Sequence, residues 1–162
     1  MKMEITMKEM KTIYQVGGKL CKNFIGQISY TVCLDQTYEE LDIEFSFGPQ
    51  HFRPEDVTPE LKQRLLDYCK KEYGIEEPTP EEWEDAVYHG MKTEIHTMAT
   101  LNDTFIGNIH RQLTTRHMHF TATEATEGCI PQPNIKGVLK VTILVFSVLL
   151  DNTDYQLTVR AR

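Results

Sequence analysis

The sequence predicts an α+β protein: an antiparallel β-sheet or β-sandwich of about six to seven strands, with a two-helix insertion between its N- and C-terminal halves. Three observations predict it. Apolar residues alternate with period two in the first and last parts of the chain. In the middle they recur at spacings of three and four, after Thr58-Pro59 and again after Thr79-Pro80. Residues 138–150, VLKVTILVFSVLL, form the longest apolar run, too β-branched for a helix and too short to span a bilayer. At 162 residues, 40% of them apolar, the chain is long enough to bury a core as a single domain, 1–162.

The first strand spans 3–16. Ile5 and Met7 point one way, and Met10, Thr12, Tyr14 and Val16 alternate in the other phase, which implies a bulge near Lys8 and Glu9. Gly17-Gly18 reads as a turn. Lys19 after it does not make a phosphate loop, because the rest of that motif is missing. The strands at 24–34 and 41–47 read as a hairpin with aromatics inward and Asp42, Glu44 and Ser46 outward.

Thr58-Pro59-Glu60 starts a helix over 59–73: a capping hydroxyl, proline in the first turn, and an acid where the helix dipole favours one. Gly74 ends it. Thr79-Pro80-Glu81 repeats this punctuation and predicts a second helix over 80–101 or longer. Its apolar stripe would be Trp83, Val87, Met91, Ile95, Met98, Leu101 and Phe105. Strands then follow at 117–123, 138–150 and 155–161, with a long loop over 124–137. The 138–150 strand is expected mid-sheet, apolar on both faces, with 155–161 as an outer strand beside it.

Several function classes find no support. A net charge of −7 without a basic, aromatic-rich patch argues against nucleic acid and acidic membrane surfaces. No stretch has transmembrane length or signal-peptide character. Cys21, Cys33, Cys69 and Cys129 are widely spaced, outside any zinc-ribbon or C-x-x-C pattern, which suits reduced thiols and a cytoplasmic location. The acids at 76–85 lack the alternating ligands and turn glycine of a calcium loop.

Three candidates for chemistry remain. His117 and His119, two apart on a strand, face the same way and are weak candidates for metal ligation or acid–base work. The plain alternative is the polar face of an ordinary strand. With no third ligand at a motif spacing, no metal and no other cofactor are expected. On a long second helix, Glu94 and Asn102 would project into the apolar sector. A carboxylate there must be paired, protonated or facing a cavity, and pairing with Arg111 or Arg116 is the ordinary explanation.

The sequence therefore predicts a non-catalytic module that binds a small molecule or a protein partner, with Glu94, Asn102 and His119 as ligand-binding candidates. A homodimer through the C-terminal edge strand is a further expectation. The alternative is a hydrolase or lyase using Glu94, His117 and His119.

Overall fold

Pairing between distant segments builds this fold. In the computed structural model, which describes residues 9–110 and 113–162, eight strands make two four-stranded antiparallel sheets. In chain order these are β1 (Lys11–Leu20), β2 (Gly26–Cys33), β3 (Leu41–Gly48), β4 (Glu94–Leu101), β5 (Thr104–Ile109), β6 (Thr115–Phe120), β7 (Val138–Ser147) and β8 (Thr153–Ala161). The first sheet has the order β1-β8-β3-β6 and the second β2-β7-β4-β5.

Between β3 and β4 lies a helical insertion: α1 (Pro59–Tyr73), a single turn α2 (Pro80–Trp83), and a π-helical stretch Glu84–Gly90. As predicted, the Thr58 hydroxyl accepts from the Leu61 N–H, and Gly74 closes α1 in the left-handed region with φ of 68°.

Both sheets feed one hydrophobic core. Ile43, Phe45, Phe120 and Leu157 enter it from the first sheet, and Ile95, Ile106, Leu139 and Ile143 from the second. The insertion between β3 and β4 builds a smaller cluster of Phe52, Leu65 and Val87, packed against Leu149 and Leu150 just beyond β7.

The α+β class and the antiparallel pairing hold, but the strand count is eight rather than six to seven. The second helix does not run over 80–101: it gives way at Gly90, and β4 begins at Glu94. Here the two periods compete. Ile95 and Leu101 fit a helical stripe, but together with Thr93, Thr97 and Ala99 they also fit strict alternation, and those five are the buried residues. β-branched Thr and Ile favour the strand. Asn102 and Asp103 then take φ of 51° and 66°, the left-handed pair a tight two-residue hairpin requires, and β5 pairs back on β4.

Gly17-Gly18 is not a turn. β1 runs through both, and a Cβ on Gly18 would sit 2.7 Å from the Tyr155 hydroxyl, so the glycine admits a tyrosine. Tyr30 hydrogen-bonds that hydroxyl across 2.5 Å, joining β2 in the second sheet to β8 in the first. Ile5, Met7 and Lys8, and with them the bulge expected there, lie outside the described residues; within β1 the register shifts between Thr12 and Tyr14.

β2 and β3 do not form a hairpin: β2 pairs with β7, and β3 with β6 and β8. β7 is central in its sheet, as expected, but its outer face is not covered along its length. Val138 and Phe146 are 42% and 50% exposed. Most consequential is β8. It lies in the other sheet from β7, hydrogen-bonded to β1 on one side and β3 on the other. It has no free edge, so a dimer built by adding a strand to β8 has nowhere to form.

Candidate functional site

Alternation along β3 and β6 puts one polar set on the outer face of the first sheet. Register places Asp42 opposite both His119 and Arg160, and Glu44 opposite His117. Asp42 is 1% exposed and Glu40, just before β3, is 3% exposed. Two such carboxylates are stable only if partnered, and they are. His117 Nδ1 donates to Asp42 Oδ2 at 3.0 Å, and His119 Nδ1 reaches Asp42 Oδ1 at 3.3 Å.

The opposite ring nitrogens also face carboxylates. His119 Nε2 lies 2.8 Å from Glu40 Oε1, and His117 Nε2 lies 3.6 Å from Glu44 Oε2. Arg160 Nη1 completes the group, 3.0 Å from Glu44 and 3.7 Å from Asp42. Arg162 Nη2 pairs with Glu40 Oε2 at 2.5 Å.

The electrostatics follow from these contacts. The hydrogen bond to Asp42 raises the His117 and His119 pKa values above the ordinary imidazole value, against the opposing effect of burial. Burial works against the Asp42 carboxylate, yet its hydrogen bonds from the two imidazoles hold its pKa below the usual 3.8. Each imidazole sits between two acids, an arrangement that favours its protonated form. One atom each from Asp42, Glu44 and His117 falls within 4.8 Å of the others, as metal ligands would. Arg160 already supplies positive charge to both acids of that trio.

The structure therefore brings His117 and His119 together through Asp42 but does not add Glu94. Glu94 opens β4 on the outer face of the second sheet, beside His96, whose Nε2 is 3.0 Å from its Oε1. With Tyr68, Tyr73, Val87 and Met91 it lines a cavity at the margin between helices and sheet. Asn102 has a framework role. Its Nδ2 donates to the Lys136 carbonyl at 2.9 Å, and its Oδ1 accepts from the Val138 N–H at 2.8 Å. That clamp ties the end of the long loop to the β4–β5 turn, and Gly137, with φ of 96°, leaves room for it.

The residue that sequence reading treated only as a salt-bridge partner is Arg116. Among the described residues no carboxylate pairs with it, and it is 4% exposed. Arg111, the other partner proposed for Glu94, lies outside the described residues. Arg116 Nη1 donates to the Ile109 carbonyl at 3.3 Å, and its Nε is buried without a partner. The guanidinium carbon stands 5.5 Å from the Phe45 ring centre and 5.7 Å from that of Phe47.

Such cation–π contacts return about 0.5–2 kcal/mol each, whereas burying an ion costs several kcal/mol. Burial accordingly pushes the Arg116 pKa down to about 10, which leaves it charged at neutral pH. It lines a cavity of about 710 Å3 between β5 and β6, with Asn108, Ile109, Leu113, Thr126 and Glu127. The Asn108 Oδ1 there is also buried and unpartnered. The signal was present in the sequence. Arg116 falls in the same phase as Met118 and Phe120, a charge on the apolar face of a strand.

No curated protein matches the chain. Both the outer-face network and the Arg116 cavity fall within residues 10–162, which match the family of unknown function DUF6669, and the chain belongs to that family.

Proposed function

We propose that this chain is a non-catalytic binding module that receives a small molecule at the margin between β5 and β6. One observation carries the non-catalytic half of this reading: every ring nitrogen of His117 and His119 faces a carboxylate. A general base needs a free lone pair near the working pH, and a ring nitrogen already engaged by an acid is poorly placed to offer one. The binding half is supported by a cavity with an apolar wall and a few polar groups, the usual composition of a small-molecule site.

Two further readings accompany it. The sheets are read as the layers of a β-sandwich, supported by their shared core. The compartment is read as cytoplasmic, supported by four cysteines in the thiol form.

The second functional reading is a hydrolase or lyase assisted by a metal on Asp42, Glu44 and His117, favoured by the closeness of their ligand atoms. One experiment separates the two. Tag-free protein is heated with a panel of small organic acids, amines and neutral polyols, and separately with zinc and manganese. The binding module predicts a saturable rise in Tm with at least one organic class, about 2.7 kcal/mol of stabilisation at a ligand concentration one hundred times Kd. A stoichiometric zinc or manganese response, with hydrolysis of a test ester, would sink it in favour of the metal-assisted enzyme.

A further inference from the structure

We infer that Arg116 anchors the carboxylate of a small organic acid in the cavity between β5 and β6, with Asn108 accepting a hydrogen bond from a second group on the same ligand. This deepens the binding reading above and rests on it.

The argument begins with charge. Arg116 remains protonated at neutral pH and is 4% exposed, yet among the described residues no acid neutralises it. Its Nε is a buried donor without an acceptor. The two phenylalanine rings lie against the guanidinium and give its Nε no acceptor. Guanidinium donors match the two oxygens of a carboxylate in bidentate geometry, so a carboxylate fills this gap chemically.

The other walls narrow the ligand. Asn108 Oδ1 is a buried acceptor without a donor, on the strand that supplies the Ile109 carbonyl to Arg116. A hydroxyl or amine on the ligand would satisfy it. Ile109 and Leu113 offer apolar surface for a short carbon body. His110, His117 and Glu127 also line the cavity, and the one buried guanidinium balances a single negative charge, which favours a monoanionic carboxylate over a phosphate dianion.

The test uses the wild-type chain, labelled with 15N, and follows the Arg116 Nε–Hε resonance by NMR. The probes are acetate, lactate and inorganic phosphate, with sodium chloride at matched ionic strength as the control. Lactate is expected to shift Hε saturably, with acetate weaker because it lacks the hydroxyl, and chloride without effect. In Arg116→Gln, lactate affinity is expected to fall by at least roughly tenfold, as loss of one partner of a buried charge pair requires. Asn108→Ala should erase the preference for lactate over acetate while keeping the acetate response.

Phosphate binding tighter than either carboxylate would overturn the assignment of ligand class. Shifts in other cavity residues with Hε unmoved would overturn Arg116 as anchor and leave the binding reading standing. Silence with all three anions, beside a thermal shift from a neutral or cationic compound, would do the same. Silence with every compound would remove both. The wild-type Hε readout stands whether or not either variant folds.

Discussion

Arg116 and His117 are neighbours on β6 that face opposite ways, and their surroundings solve the same electrostatic problem differently. On the outer face, Glu40, Asp42 and Glu44 meet His117, His119, Arg160 and Arg162, so each buried acid has a cation within hydrogen-bond or ion-pair distance. On the inner face, one buried guanidinium meets two aromatic rings and one carbonyl. A network that satisfies itself stabilises a register and has little left to offer a ligand. A group whose partner is missing costs stability and keeps its bonding capacity for something else. Position in the strand alternation, one residue apart, decides which of the two a charge becomes.

The contrast predicts opposite outcomes for removing charge on the two faces. Asp42→Asn should have the largest effect, a loss of about 3–5 kcal/mol by urea unfolding, because it removes the buried acid that the two imidazoles and Arg160 share. A loss below about 1 kcal/mol would mean that the outer network contributes little. Arg116→Met should be neutral or stabilising, by up to about 1–4 kcal/mol, since it removes an uncompensated buried charge and keeps the volume. Marked destabilisation there would erase the distinction between the faces.

Asn102→Ala serves as a reference point away from both faces. Loss of its two hydrogen bonds to the long loop should cost about 1–3 kcal/mol in the same unfolding assay, at roughly 0.5–1.5 kcal/mol per bond.

The smallest effect is a slope. His117 and His119 have raised folded pKa values, so their contribution is complete below the unfolded value of 6.5 and fades as pH climbs through the folded values. Asp42 is lowered, so its contribution is complete above 3.8 and fades as pH falls through its folded value. The urea midpoint should therefore be highest between those two values. Replacing both histidines with Gln should flatten the alkaline limb, and an unchanged limb would mean that other groups set it.

Much of this was legible in the residues because it is local. The α1 boundaries follow from Thr58, Pro59 and Gly74, whose effects act within one helical turn. The outward phase of Asp42 and Glu44, and of His117 and His119, follows from alternation within each strand. That these two pairs meet does not follow, since it depends on β3–β6 register across some 75 residues. The 80–101 segment misleads for a different reason. Ile95 and Leu101 satisfy both periods, and only the sheet waiting to pair with β4 decides between them. Arg116 was readable as an anomaly of phase, but its missing partner becomes visible only once the core around it is assembled.

The central place of β8 has a consequence for how the molecule forms. Both neighbours, β1 and β3, precede it in the chain, and Lys11 pairs with Ala161 across almost the whole sequence. During synthesis β1 and β3 therefore emerge with open edges facing a gap that only β8 fills. So many long-range pairings place the domain among slow folders, in the millisecond-to-second range. Until that gap closes, β1 and β3 are exposed to pairing with other chains, and a chaperone or a short nascent lifetime has most to protect at that stage.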